Sequence, residues 1–409
     1  MNKVSIACIA VILALVSISC RQITTFSVEL PASELDIPFS INLDSLTSVP
    51  ASSLSLWETT QGKVPIPFQV SETNPRRLHW IIRLQDGLTK RTYRLSKAAP
   101  EKFDSIKAVK RNGALVIRAG NKDLLGYQYE TVYPPAGQDS SYKRSGFIHP
   151  LWAPNGQVLT RIQPPDHYHH YGIWNPWTRT LFEQDTVDFW NIRGRKGAVR
   201  FSKFVSQADG PVFAEYTALH EHVVFKKDNT EKIALNELQT VRVYHPGAGN
   251  NYYFVDITSK LSCASESPLL IIAYRYGGLG WRATEHWNRY NSEMLTSEGN
   301  TRDNTDNTRA KWIMVYGELP ENDEGGMVIL SHTSNYNHPE PLRVWDKNGN
   351  DGRGDMFINF APTKNKDWLL EPGNTYTLRY RLVVFNGKMT KENAESAWSS
   401  FTSVSRNGF

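Results

Sequence analysis

Apolar and polar residues alternate along most of this chain with the period of two that a strand face requires, and almost nowhere with the period of a helix. Between residues 26 and 95 the alternating runs are short, at 26–30, 53–58, 78–84 and 92–95, and Ser- and Pro-rich turns divide them. Such a set of strands predicts a small β-sandwich domain over 28–97, closed by the polar stretch 96–104 with Pro100. Further runs follow at 114–119, 213–225, 236–244, 252–261, 269–276, 312–316, 327–331 and 375–385. In the last, Tyr376, Leu378, Tyr380, Leu382 and Val384 share one face while Thr377, Arg379 and Arg381 take the other, as an antiparallel sheet half exposed to water requires. The fold class is therefore all-β, with a large antiparallel β-sandwich over 105–409. The one helical pattern is terminal: Thr390 can cap it, and Ala394, Ala397, Trp398 and Phe401 fall at i, i+3, i+4 and i+7.

The first twenty residues break this pattern. Lys3 precedes an apolar stretch that ends at Cys20, the charged start and short apolar core of a secretory signal, and too short to span a bilayer. Cys20 directly after Ser19 resembles a bacterial lipobox, although Ser17 stands where Leu is usual; ordinary cleavage and an uncleaved anchor are the alternatives. The expectation is a signal peptide over 1–19, lipid on Cys20 and a tether over 20–27. That places the protein outside the cytoplasm, in the periplasm or at the outer membrane, touching the membrane through its lipid alone. With Cys8 in the leader and Cys20 lipidated, Cys263 has no partner for an intrachain disulfide.

Composition narrows the partners. Lys and Arg number 46 against 41 Asp and Glu, a net charge of +5 spread along 409 residues, which leaves no footprint for nucleic acid.

The densest chemistry is residues 164–177, where His167, His169 and His170 lie within four positions between two prolines and Gly172. Imidazoles near neutral pKa donate or accept protons, and Asp166 is placed to orient one of them. Two other readings stay open: a packed aromatic loop with satisfied histidines, and a metal site built on His167, His169 and His170 plus a distant ligand, for which no second ligand motif appears. Asp185 and Asp188 bracket an apolar turn beside Trp190, so Asp188 is either a site carboxylate or a turn residue. His220 and His222 share a strand face and read as a surface pair. The stretch 274–287 carries Gly277, Gly278 and Gly280 without dinucleotide spacing, which rejects a nucleotide cofactor. Within it Arg275 and Arg282 suit a ligand clamp, Trp281 a stacking platform, and Glu285 an acid–base partner for a histidine, with His286 beside them; Trp174 joins the platform. Residues 346–352 faintly match a calcium loop, but Asp351 occupies the glycine position and a polar hairpin is the expectation.

With residues 166–172, 187–190, 274–280 and 371–381 together, the chain resembles a family of secreted bacterial proteins labelled PmoA-like, over about residues 110–402. The family's first motif runs Asp-His-Pro-His-His-Arg-Gly, so Tyr168 replaces Pro and Tyr171 replaces Arg, which weakens any ligand role for position 171. The methane-oxygenase sense of the label is not carried over, because no segment after the leader is fit to span a membrane. The resemblance implies carbohydrate utilisation and a sandwich similar to that of galactose mutarotases and related lyases, where a histidine and a carboxylate move protons beside a sugar ring. The leading expectation is thus a carbohydrate-active hydrolase, lyase or epimerase taking an oligosaccharide or glycoside. Its rivals are a non-catalytic glycan-binding lipoprotein and a His-coordinated metalloenzyme.

Overall fold

The computed structural model describes residues 21–30, 33–84, 87–247, 249 and 251–404; the expected leader and Cys20 lie outside them. The small sandwich is present. A sheet of Arg21–Glu29, Lys90–Lys97, Leu54–Glu58 and Val64–Pro65 faces one of Ile37–Asn42, Arg77–Ile82 and Phe68–Ser71. Trp80 fills the space between them, 5.9 Å from Phe26, 5.0 Å from Phe39 and 5.1 Å from Tyr93 between ring centroids. The stretch expected as a tether is, from Arg21 onward, part of the first strand, with Phe26 opposite Tyr93.

The large domain stacks two eight-stranded antiparallel sheets. The first runs Leu342–Val344, Phe357–Phe360, Gly280–Arg282, Ile173–Trp174, Phe147–Leu151, Lys122–Gln128, Ala114–Ala119 and Ile106–Arg111. The second runs Gly197–Ala208, Phe213–Phe225, Glu231–Tyr244, Tyr252–Cys263, Tyr376–Asn386, Asp323–Ser331, Trp312–Leu319 and Ser292–Thr296. Their inner faces supply one core that includes Ile117, Tyr127, Tyr216, Val241, Val255 and Leu382. The expected run 269–276 forms a strand only over Leu269–Ile271, and the rest is loop leading to Gly280–Arg282.

The helix forms at Lys391–Val404. Thr390 Oγ1 accepts the Asn393 N–H at 3.1 Å, and Asn393 Oδ1 accepts the Thr390 N–H at 3.0 Å, so each end of the cap answers an unpaired amide. Its apolar side, Ala394, Ala397 and Phe401, packs with Val383 and Phe385 on the outer face of the second sheet. This amends the expected half-solvated strand. Arg381 is buried there and bound at both Nε and Nη2 by Asp256, at 2.6 and 2.8 Å. Among the described residues no helix is long and apolar enough to cross a membrane.

Candidate functional site

Ile173–Trp174 and Gly280–Arg282 are adjacent strands of the first sheet, with Ile173 opposite Trp281. Sheet pairing therefore joins the histidine segment to the glycine-rich stretch. The chain leaves the ladder after Ile162, which bridges Tyr171, and returns after a loop closed by the Gln163 N–H on the His170 carbonyl at 2.8 Å. Within the loop the His167 N–H binds the Pro164 carbonyl and the His170 N–H binds the His167 carbonyl, which gathers the three imidazoles. Gly172, at φ +54, sets the return: a Cβ there would lie 2.1 Å from the Ile148 carbonyl oxygen. Gly278, at φ +88, is likewise closed in by the Phe360 carbonyl. The glycines serve strand packing, and no ligand cradle is formed by them.

Beneath the histidines lies an ionic floor. Arg282, 1% exposed, pairs with Asp166 at 2.8 Å and with Asp355, while Arg161 stands 3.7 Å from Asp355 and Arg353 pairs with it too. Burial pulls the Arg282 guanidinium down to about 10, still charged at neutral pH. Asp166 is raised by its burial, but the hydrogen bond from His167 and the Arg282 charge outweigh this and hold it near 2. Trp345 covers the floor, its ring 4.7 Å from the Arg282 guanidinium and 4.8 Å from His167.

Above it, His167 Nδ1 donates to Asp166 Oδ2 at 2.9 Å with 35% of the side chain exposed. A carboxylate only accepts, so the neutral ring carries its proton on Nδ1 and presents a free Nε2 lone pair. His169 is half-buried; desolvation, then repulsion from His167 whenever that ring is protonated and from the Arg144 guanidinium, push it down to about 4. It lines an open depression of about 550 Å³ together with Tyr142, Asp188, Asn191, Arg193 and Lys196. His170 is 2% exposed, stacked on His167 at 4.7 Å, and held well below its ordinary pKa by burial and its cationic neighbours. Only His167 and His169 can meet a ligand.

The other expected site residues divide. Asp188 accepts the Trp190 and Asn191 N–H groups, both at 2.8 Å, and is the turn residue of the two readings, although it borders the depression. Glu285 is 63% exposed and stands 3.7 Å from Arg161, not from a histidine. Trp174 and Trp281 are buried in the cores, Trp281 donating to the Leu159 carbonyl, and neither offers a face to a sugar. Arg282 supports the floor and cannot clamp a ligand. Arg275 is exposed over Tyr276 at 5.2 Å, and His286 is exposed on the surface beyond Glu285. Residues 346–352 form the polar hairpin expected of them, whose Asn350 donates to Asp355. Asp355, Arg353 and Trp345 escaped sequence reasoning, since each lies far from the histidines along the chain and in no motif, and Arg161, six residues before His167, stands outside the motif. Among the described residues no three His, Cys, Asp or Glu side chains stand together as a metal ion needs.

His220 and His222, expected on the surface, are sealed between the sheets. His220 bonds Tyr127 through Nε2 at 2.6 Å and Glu237 through Nδ1 at 3.3 Å, and Glu237 also accepts from Asn175 and Ser259. Alternation puts both rings on one face of Phe213–Phe225, and that face is the inner one.

Residues 114–399 match the family of unknown function DUF6807. No curated protein matches the chain. Among solved structures it is similar to the crystal structure of GH36 alpha-galactosidase AgaA from Geobacillus stearothermophilus, with 7% identity and a TM-score of 0.34 over 69% of this chain. The match takes in 41% of that enzyme, so the chain spans less than half its length.

Proposed function

The chain belongs to DUF6807, and we propose that this member binds a carbohydrate in the open depression beside the histidine loop and removes a proton from it with His167. The observation that carries the reading is the Asp166–His167 pair: a carboxylate fixed by a buried arginine holds a partly exposed imidazole in one tautomer and leaves its basic nitrogen outside that hydrogen bond. His169, uncharged at neutral pH, adds a second acceptor on the depression wall. The depression is shallow and lined by polar and tyrosine side chains, which suits a hydroxyl-rich ligand better than an apolar one.

The carboxylates bear on the reaction type proposed. Two-carboxylate glycoside hydrolysis needs an acid and a second carboxylate free to act as base or nucleophile. Here Asp166 and Asp355 are held by arginines, Asp188 by its turn, and Glu285 faces Arg161. The arrangement favours elimination or epimerisation, in which a neutral histidine takes a carbon-bound proton. In the same proposal the leader and Cys20 put this activity outside the cytoplasm on a lipid anchor.

The test is incubation of the protein with a panel of polysaccharides, with products followed by NMR and retention by affinity electrophoresis. Turnover by the wild type, lost by at least about 100-fold in His167→Ala with retention unchanged, is expected for a general base. Retention without any product would leave a glycan-binding protein instead.

A further inference from the structure

A second cleft, of about 890 Å³, adjoins the depression and shares Lys196 with it. Its charge is lopsided, seven cations facing Asp185 and Glu231 alone. Arg195 is answered by Asp139, Arg200 by Glu231 and Lys226 by Asp185 and Glu183. Lys143, Lys196, Lys227 and Arg144 have no carboxylate at ion-pair distance among the described residues.

Arg144 is the unusual member. It is 4% exposed, and among the described residues its one side-chain hydrogen bond is a long one from Nη1 to the Phe189 carbonyl at 3.4 Å, while its buried Nε has no partner. The Tyr171 ring lies 5.8 Å away, and Glu237, whose charge it feels, is already bonded to His220, Asn175 and Ser259. A buried guanidinium without a bonded counter-ion is costly for the free protein, and its planar fork matches a carboxylate or a sulfate.

We propose that this cleft receives the anionic substituent of the carbohydrate, a carboxylate or a sulfate ester, on Arg144, with Lys143 and Lys196 at the rim. That the anion belongs to a sugar rests on the function proposed above; that the cleft binds an anion does not. The Arg144 charge reaches His169, whose ring stands 5.3 Å from that of His167. A carboxylate neutralised there makes the C–H beside it more acidic, which is the proton a histidine can take.

Two measurements on the mature protein test this. In the first, melting temperature is compared in sodium sulfate and in sodium chloride of equal ionic strength, for wild type, Arg144→Met and a Lys143→Ala, Lys196→Ala double variant. Sulfate stabilises every protein somewhat by exclusion, so the difference between variants is the readout. The wild type should gain more than either variant; an equal gain in all three overturns the proposal. The exposed lysines keep the test valid if Arg144→Met does not fold. In the second, polygalacturonate, a sulfated galactan and neutral galactan are compared by affinity electrophoresis. Retention of an acidic polymer at least tenfold tighter than the neutral one, abolished by Arg144→Met, upholds the proposal, and the polymer retained tells carboxylate from sulfate. Neutral galactan held as tightly overturns it. A specific sulfate response with no polymer held upholds the anion cleft and removes the carbohydrate reading.

Discussion

Several histidines in this protein are neutral because of where they sit. Burial lowers His149 and His222 to about 4 each, and His169 to the same value with help from its cationic neighbours. A histidine whose folded pKa is lowered binds fewer protons folded than unfolded, so its contribution to stability is complete above the unfolded value near 6.5 and declines as pH falls from there toward 4. His222 is the clearest instance. It is fully buried against Phe189, and among the described residues neither ring nitrogen makes a well-aligned hydrogen bond, although Glu237 and the nearby Leu235 backbone favour its charged form. Replacing it with leucine removes both an unpaired polar group and an acid liability. Urea denaturation at pH 8 and pH 5 should show the His222→Leu variant losing on the order of 2 kcal/mol less than wild type across that interval. An identical loss in both would contradict the assignment.

At the scale of elements, the loop that carries the proposed chemistry depends on the backbone freedom of Gly172. Alanine at Gly172 must displace either its own Cβ or the Ile148 carbonyl, and with it the Ile148 pairing to Ile173. Gly156, at φ +94 with open space around it, isolates the backbone strain alone. Gly156→Ala should cost about 1 kcal/mol and Gly172→Ala more than about 3 kcal/mol, with turnover falling only in the latter; equal costs in thermal melts would mean that the ladder does not hold the loop. The same elements show what the sequence could reveal. Long strands with one wet face, such as Phe213–Phe225, and the terminal helix with its Thr390 cap were legible from period and cap. Ile173–Trp174 has two residues and Phe147–Leu151 contains Pro150, so neither offers enough period to read, yet these strands hold the site. Alternation also cannot say which side of a sheet is inward, which is why His220 and His222 were expected in water.

For the whole molecule, the placement of chemistry follows from how the large sandwich pairs its central strands. The Asp166–His170 loop and Arg282 meet because their strands are neighbours, whereas Asp355 and Trp345 arrive from later loops that no local motif marks. The histidine cluster was therefore visible in the sequence and its supports were not. Net charge was equally uninformative: +5 over the chain conceals a cleft in which seven cations face two carboxylates. The small sandwich contacts the large one through Gln69, which accepts the Phe213 N–H at 3.2 Å, and through His79, whose ring stands 5.2 Å from Phe213. These contacts lie on elements other than the histidine loop, so the proposed site belongs to the large domain. The central claim is that His167, set by Asp166, takes a proton from a sugar carbon. NMR of a retained glycan incubated with the enzyme in deuterated water reads this directly. One ring C–H signal should vanish, replaced by solvent deuterium in an epimer or by an unsaturated sugar, and should persist with His167→Ala. Cleavage with every ring C–H retained, or loss of the signal undiminished in the variant, would contradict the account.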